Sequence, residues 1–192
     1  MKRLLVFFIS TWLALGVALP TPASAEDIWA ELREETGLVV LMRHAIAPGG
    51  GDPAGFKLGD CRTQRNLSAE GRSQARAIGR EFRKQRVPVA GVLASRWCRA
   101  RDTAKLLGLG AVQPASALNS VFTSSQETAT RKQAQAARII RGHRDKTGIL
   151  VLVGHQANII DLTGIAPVSG GAVVVRASKS GKINVVGQIP PP

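Results

Sequence analysis

Histidine and arginine side chains follow three apolar segments of this 192-residue chain, at residues 38–42, 91–95 and 149–153. The side chains that follow them are Arg43 with His44, Arg96 with Arg99, and, after a glycine, His155. Arginine forks match the oxygens of a phosphate group bidentately, which a lysine ammonium cannot do. Two histidines and two or three arginines, with no acid directly beside them, are therefore predicted to bind a dianion.

The three apolar segments are predicted to be buried strands of one sheet. Residues 38–42 and 149–153 are continuous apolar runs, typical of a parallel sheet covered on both faces. Helical patterns lie between the strands: the predicted helices are residues 27–35, 97–107, 127–143 and one that begins after Ser68 and carries Ala75, Ile78 and Phe82 on one side. Residues 172–175 and 183–186 are predicted to form a hairpin.

This order of elements predicts a single α/β domain with a largely parallel sheet and helices on both faces. Ligands of such sheets bind beyond the carboxyl ends of the strands. The histidines and arginines that follow the strands are therefore expected to share one site.

The first 25 residues have the three-part pattern of a secretory signal peptide. After a basic start, residues 4–19 are almost wholly apolar, and small residues occupy positions 23–25. We predict cleavage after Ala25, export to the periplasm, and one domain over residues 26–192 with no stable membrane insertion. An uncleaved anchor is the alternative, because the apolar run is only slightly shorter than the roughly 18–20 residues that span a bilayer.

The mature chain is expected to be strongly basic. Cleavage would remove Lys2 and Arg3 and lower the formal net charge from +13 to about +11. Such a surface favours anionic partners, among them phosphorylated metabolites, acidic polysaccharide, lipid head groups and nucleic acid. The arginines on the helix after Ser68 are interpreted as a solvated face, so no nucleic-acid partner is predicted. The sequence does not indicate an oligomeric state.

Cysteine and histidine usage favours a disulfide over a metal site. Cys61 and Cys98 are an even count in a chain predicted to be exported, where disulfides persist. Two free thiols that never meet are the alternative. The chain has no Cys-x-x-Cys pattern and its three histidines are far apart in sequence, so neither a metal nor a cofactor is predicted. His143, at the end of a basic helix, is interpreted as a cation near the helix dipole.

Four short motifs follow one another at sensible spacing. They are Arg43-His44-Ala45, NLSAEGRSQA at residues 66–75, RARDTA at residues 99–104 with Ser95 before it, and VGHQ at residues 153–156. Together they resemble the histidine phosphatase superfamily, whose fold is that of the cofactor-dependent phosphoglycerate mutases. The resemblance spans residues 38–163 and implies a phosphoglycerate mutase-like fold.

The resemblance also implies a phosphatase, a phosphoric monoester hydrolase, with His44 as nucleophile. His44 would form a phosphohistidine that water later hydrolyses, so that one difficult displacement becomes two easier ones. Arg43, Arg99 and His155 would hold the phosphoryl oxygens and offset charge in the transition state. Because the attacking imidazole must be neutral, its other ring nitrogen is expected to donate to a carbonyl or a similar acceptor.

Residues 48–59 hold five glycines and two prolines and predict a long loop. In the family, the segment after the first motif folds back over the active site. The resemblance therefore implies a Cys61–Cys98 disulfide that fastens this segment beside the phosphate pocket. It also implies substrate-binding side chains here and after the last motif: Arg62, Arg65, Asn66 and Gln156.

The chain departs from the family pattern at two places. Ala45 replaces the glycine after the nucleophile and adds one methyl group near the site. The family also places an acid after the RARDTA-type helix to protonate the leaving oxygen, whereas residues 113–126 contain no acid. Glu127 is the predicted proton donor, and Asp52 and Asp60 are other candidates. Without a donor, the enzyme would favour good leaving groups such as phosphoramidates or acyl phosphates.

The predicted function is an exported phosphatase acting on a small anionic phosphate ester, for example a sugar phosphate or a lipopolysaccharide phosphate. The missing acid leaves one alternative open, a non-catalytic binder of phosphate-bearing envelope polymers on a phosphatase fold. A phosphomutase is less favoured, because the chain is short and an exported compartment supplies little bisphosphorylated cofactor.

Overall fold

Four parallel strands and an antiparallel hairpin form one sheet in residues 25–192, the part of the chain that the computed structural model describes. The strands are β1 (Leu38–Arg43), β2 (Val89–Ala94), β3 (Val112–Pro114), β4 (Ile149–Gly154), β5 (Ala172–Ala177) and β6 (Ile183–Ile189). Their order across the sheet is β3-β2-β4-β1-β5-β6. The four strands β1 to β4 run parallel, while β5 is antiparallel to both β1 and β6. Strand β4 thus lies between β1 and β2, and their three carboxyl ends meet at one edge.

Five helices cover the two faces of the sheet within the described residues. They are α1 (Ala25–Glu34), α2 (Ala69–Lys84), α3 (Cys98–Leu107), α4 (Gln126–Gly142) and α5 (Gln156–Thr163). The apolar side chains of α1, α2 and α3 pack on one face, and those of α4 and α5 pack on the other. The single α/β domain with helices on both faces, predicted from the sequence, is therefore confirmed.

Strand β1 shows why its sequence is a continuous apolar run. Leu38, Val40 and Met42 pack towards α1, α2 and α3, whereas Val39 and Leu41 pack towards α4 and α5. All five side chains are buried. A central strand with helices on both sides needs apolar residues at every position rather than at alternate ones.

Two elements differ from the sequence prediction. Residues 156–163, for which no element was predicted, form α5 directly after His155. Residues 112–114, for which no element was predicted either, form β3, which pairs with β2 over three residues and ends at a proline. Proline has no backbone N–H for the ladder, and its position at the end of this edge strand is where such a residue is tolerated.

The expected signal peptide, residues 1–25, lies outside the described residues apart from Ala25. In residues 25–192, none of the helices is long and apolar enough to cross a membrane.

Candidate active site

The sheet brings His44 and His155 together. His44 follows β1 and His155 follows β4, and the backbone N–H of His44 extends the ladder by donating to the Gly154 carbonyl over 3.0 Å. The two imidazole rings lie 5.4 Å apart between centroids, with their planes at 68°. Both residues are buried, so the ends of two neighbouring parallel strands place two histidines side by side at one edge of the sheet.

The tautomer of His44 is fixed by the next residue in the chain. Its Nδ1 lies 2.8 Å from the carbonyl oxygen of Ala45, which can only accept, so Nδ1 carries the hydrogen. The lone pair is therefore on Nε2, which accepts from Nε of Arg99 over 3.3 Å. Ala45 is held in turn by a 3.0 Å hydrogen bond from its N–H to Oγ1 of Thr103. The acceptor expected from the resemblance is thus the carbonyl of Ala45.

Burial keeps the ring of His44 neutral. It lowers the pKa of His44 to about 3, helped by the positive charges of Arg99, Arg65 and Arg43 and opposed by the hydrogen bond to Ala45. The imidazole therefore keeps an unprotonated Nε2 at neutral pH. A nucleophile needs no general base to deprotonate it in this state.

His155 is oriented by Ser95, a residue that follows β2. Oγ of Ser95 lies 2.9 Å from Nε2 of His155 and also accepts from the backbone N–H of Trp97 over 3.3 Å. Nδ1 of His155 faces Nη2 of Arg99 at 3.5 Å. The pKa of His155 is lowered, first by burial and then by the neighbouring His44 and Arg99. Ser95 was recognised in the sequence only as part of a motif, and the structure shows its contact with the site.

Arg99, in the first turn of α3, connects both histidines to an acid. Its side chain is buried, and besides His44 it donates to Asp52 from Nη1 over 2.7 Å and from Nη2 over 3.3 Å. Asp52 also accepts from Nε1 of Trp97 over 2.9 Å and from the backbone N–H of Arg65 over 3.3 Å. Burial disfavours the ionised form of Asp52, but the hydrogen bonds from Arg99 and Trp97 outweigh it and lower the pKa of this carboxyl.

Arg43 and Gln156 share one hydrogen-bond acceptor. Nη1 of Arg43 and Nε2 of Gln156 both donate to the carbonyl of Pro167, over 3.1 and 3.0 Å. Nε of Arg43 is buried without a hydrogen-bond partner in the described structure. Burial lowers the pKa of Arg43, as expected for a cation whose charge is incompletely compensated.

The segment after His44 carries Arg65 into the same region. Its Nε donates to the Gly51 carbonyl over 2.7 Å, and its Nη1 donates to the carbonyl of Ala47. Its own carbonyl lies 3.4 Å from Nη1 of Arg99. The positive charges of three guanidinium groups therefore lie near His44 and lower its pKa: those of Arg43, Arg65 and Arg99. The carboxylate of Asp52 is the negative charge paired with Arg99.

Two links fasten this segment to the start of α3. Cys61 and Cys98 form a disulfide, as the resemblance implied. Oε1 of Gln64 also accepts from the Cys98 backbone N–H over 2.9 Å. The ring of Phe56, in the same segment, also stacks on that of Trp97, with the centroids 5.1 Å apart. The pocket wall is thus attached directly beside Arg99.

Three residues expected at the site have other contacts in the structure. Arg62 is an exposed residue paired with Asp60 over 2.9 Å. Asn66 donates to the carbonyls of Cys61 and Gln64 and so holds the turn. The Glu127 carboxylate is 89% exposed and pairs with Arg131 at 3.8 Å, and within residues 25–192 it forms no hydrogen bond or ion pair with the pocket side chains.

His143 ends α4, as expected for a helix-terminal residue. Its Nε2 lies 2.8 Å from the Gly148 carbonyl, just before the amino end of β4. It therefore lies at the opposite edge of the sheet from His155.

The sequence model of the histidine phosphatase superfamily (branch 1) matches residues 39–120, which include Arg43, His44 and Arg99. The structure adds His155 to this set from outside the matched segment. The resemblance to the histidine phosphatase superfamily is thereby confirmed over the matched residues. The family match and the site together support a phosphatase enzyme. No curated protein matches the chain.

Solved structures with a similar fold resemble the chain over most of its length. They include the protein histidine phosphatase SixA complexed with tungstate, with a TM-score of 0.56 and 18% identity over 80% of this chain and 97% of that one. Rv3214 from Mycobacterium tuberculosis has a TM-score of 0.62 and 16% identity, with the same coverage. Phosphoserine phosphatase from Entamoeba histolytica, in complex with 3-phosphoglyceric acid, has a TM-score of 0.59 and 13% identity over 79% and 95%. At these identities the likeness concerns the fold.

Proposed function

We propose that this chain is an exported phosphatase that hydrolyses a small anionic phosphate ester through a phosphohistidine on His44. The single observation that carries the proposal is the state of that imidazole. Its Nδ1–H is committed to the Ala45 carbonyl, so the Nε2 lone pair faces the guanidinium of Arg99 in a buried pocket. An arginine beside a neutral histidine holds phosphate oxygens while the ring nitrogen attacks phosphorus.

The reaction has two steps on this geometry. In the first, a bond forms between Nε2 of His44 and phosphorus while the ester P–O bond breaks, and the leaving oxygen takes up a proton. In the second, water attacks phosphorus, the P–N bond breaks, and inorganic phosphate leaves. Arg99 and His155 face the position of the transferred group in both steps, where they would offset its charge.

Arg43 and Arg65 support an anionic substrate. Together with Arg99 they place three positively charged guanidinium groups around the two neutral histidines. The carboxylate of Asp52 balances one of these charges, so the site keeps a net positive charge. A second anionic group on the substrate would be accommodated by this excess. Sugar phosphates and lipopolysaccharide phosphates are members of that class.

Export is supported by the amino-terminal sequence pattern and by the Cys61–Cys98 disulfide, since such bonds persist outside the cytosol. If the proposal holds, protein recovered from a periplasmic fraction begins at Glu26, as read by amino-terminal sequencing. Protein that keeps residues 1–25 would contradict the cleavage and favour an anchored form.

Phosphate release tests the enzymatic proposal. Purified protein should release phosphate from p-nitrophenyl phosphate, and His44→Ala should lower kcat/KM by more than about 10³-fold, because the nucleophile is removed. The matched control is His143→Asn, a buried histidine at the opposite edge of the sheet, which should stay within about twofold of wild type. A protein that binds phosphate polymers without releasing phosphate would instead be the non-catalytic binder.

A further inference from the structure

Hydrolysis of an alkyl phosphate needs a proton for the leaving oxygen, and the sequence left its source open. Glu127 is exposed and paired with Arg131. Asp60 is half-buried and paired with the exposed Arg62. Within the described residues, Asp52 is the acid whose side chain contacts the pocket.

Asp52 uses hydrogen-bond donors that a phosphate group would also use. Its two carboxylate oxygens accept hydrogen bonds from Nη1 and Nη2 of Arg99, over 2.7 and 3.3 Å. Nε of the same guanidinium donates to Nε2 of His44. A planar fork that binds a carboxylate bidentately binds two phosphoryl oxygens in the same way. A phosphate placed for attack by His44 therefore competes with Asp52 for Arg99.

This competition changes the protonation of Asp52. On Arg99, the carboxyl is held ionised by the cation and by Nε1 of Trp97. When phosphate replaces Asp52 on the guanidinium of Arg99, the carboxyl loses the contact with this cation and gains the negatively charged phosphate as a neighbour. Both changes raise the pKa of Asp52 and so favour the protonated carboxyl. The carboxyl thus becomes able to carry a proton when substrate is in place.

The position of Asp52 in its loop allows the exchange. Its side chain is 17% exposed, so water reaches it. Gly51, directly before it, has a φ of +67°, and no atom lies within 4 Å of the position its Cβ would occupy. Glycine has the widest backbone freedom of any residue, which favours a change of conformation just before Asp52. The loop as a whole stays attached through the Cys61–Cys98 disulfide, so Asp52 remains beside the pocket.

The geometry points to Asp52 as the proton donor, which leaves Arg99 when phosphate binds and protonates the leaving oxygen. This inference rests on the proposed phosphatase function. On exchange, Asp52 takes one proton from solvent. As the bond from Nε2 of His44 to phosphorus forms and the ester P–O bond breaks, that proton passes to the leaving oxygen. The carboxylate then accepts a proton from the water that attacks the phosphohistidine, which restores the donor.

The test is the dependence of the rate on the leaving group. Asp52→Asn keeps an oxygen that accepts from Trp97 but cannot donate an acidic proton. We expect it to lower kcat on an alkyl phosphate such as glycerol phosphate by about 10²–10⁴-fold. On p-nitrophenyl phosphate and acetyl phosphate, whose leaving groups need little protonation, the loss should be less than about tenfold. Asp52→Glu should keep the wild-type preference because it retains a carboxyl group.

Inhibition by tungstate supplies a second readout. Tungstate is a tetrahedral oxyanion and should compete with the side chain at position 52 for Arg99. It should therefore bind Asp52→Asn several-fold more tightly than wild type, because the asparagine side chain carries no charge to attract Arg99. The matched control is Asp145→Asn, an exposed acid paired with Arg144, which should change neither readout. The melting temperature of each variant verifies that it is folded.

Two results would overturn the assignment. Equal losses on all three substrates would show that Asp52 positions Arg99 without donating a proton. Loss of alkyl phosphate hydrolysis in Glu127→Gln, with Asp52→Asn unaffected, would move the donor to Glu127. In either case the wild type still turns over and depends on His44, so failure of this inference differs from failure of the proposed function, in which His44→Ala is as active as wild type.

Discussion

Reduction of the Cys61–Cys98 disulfide is expected to destabilise the fold and loosen the wall of the pocket. The two cysteines are 37 residues apart in sequence, and the loop they close contains the whole of α2 and β2. The chain-entropy relation for a loop of this length gives a loss of about 4 kcal/mol in the free energy of unfolding. For a domain of this size, that corresponds to a fall in melting temperature of roughly 10 °C.

Urea unfolding followed by circular dichroism measures this loss. We expect a lower midpoint for wild type in dithiothreitol than without it, and a similarly low midpoint for Cys61→Ala/Cys98→Ala in both conditions. The double variant separates loss of the bond from other effects of the reductant. Phosphate release should fall alongside, because Asp52 and Arg65 lie on the segment that the bond fastens. A reduced protein destabilised by less than about 1 kcal/mol would refute the role given to the disulfide.

Three further outcomes follow from buried contacts. Ser95→Ala removes the hydrogen-bond partner of Nε2 of the buried His155, so the free energy of unfolding should fall by about 1–3 kcal/mol. The value of kcat/KM should fall with it, and retained activity would count against Ser95 as a positioning residue. The pKa of His44 is about 3 in the fold, below its ordinary value of 6.5, so the unfolded chain binds the extra proton. This histidine should therefore make stability fall as pH drops from about 6.5 towards 3, and thermal melts of His44→Ala should lose less over that window than wild type. Gly71→Ala would place a Cβ 2.0 Å from the Ile46 carbonyl oxygen, and we expect a loss of about 1–3 kcal/mol in urea unfolding; an unchanged midpoint would contradict the close approach of α2 to this backbone.

The sheet and the two histidines could be predicted because they depend on local patterns. Residues 38–42 and 149–153 are apolar at every position, which indicates strands buried on both faces. His44 and His155 directly follow them, so parallel pairing alone brings the histidines to one edge. The helix entered at Ser68 was predicted from its cap, and Oγ of Ser68 accepts from the Gly71 N–H over 3.0 Å.

The contacts of the loop could not be predicted, because they depend on distant residues. Asp52 meets Arg99 across 47 positions, and its glycine-rich surroundings have no periodicity that indicates a direction. Glu127 was favoured as the proton donor because it lies nearest to the segment where the family places its acid, and sequence position does not reveal that the helix exposes it. Helix α5 was missed because its eight residues are too few to give a clear apolar period.

The choice of acceptor for His44 also lay beyond the sequence. The family resemblance requires a partner for Nδ1, and any nearby carbonyl would satisfy it. The structure uses the carbonyl of Ala45, whose N–H is tied to Thr103 on α3. The tautomer of the nucleophile thus depends on the packing of α3 against the end of β1, which only the assembled fold establishes.

Trapping of the phosphoenzyme tests the central claim most directly. After brief incubation with a ³²P-labelled phosphate donor and a rapid quench that avoids acid, the label should be found on the peptide that contains His44. It should be labile to acid and stable to base, and it should be absent from His44→Ala. If no label forms, and His44→Ala hydrolyses the donor as fast as wild type, His44 is not the nucleophile.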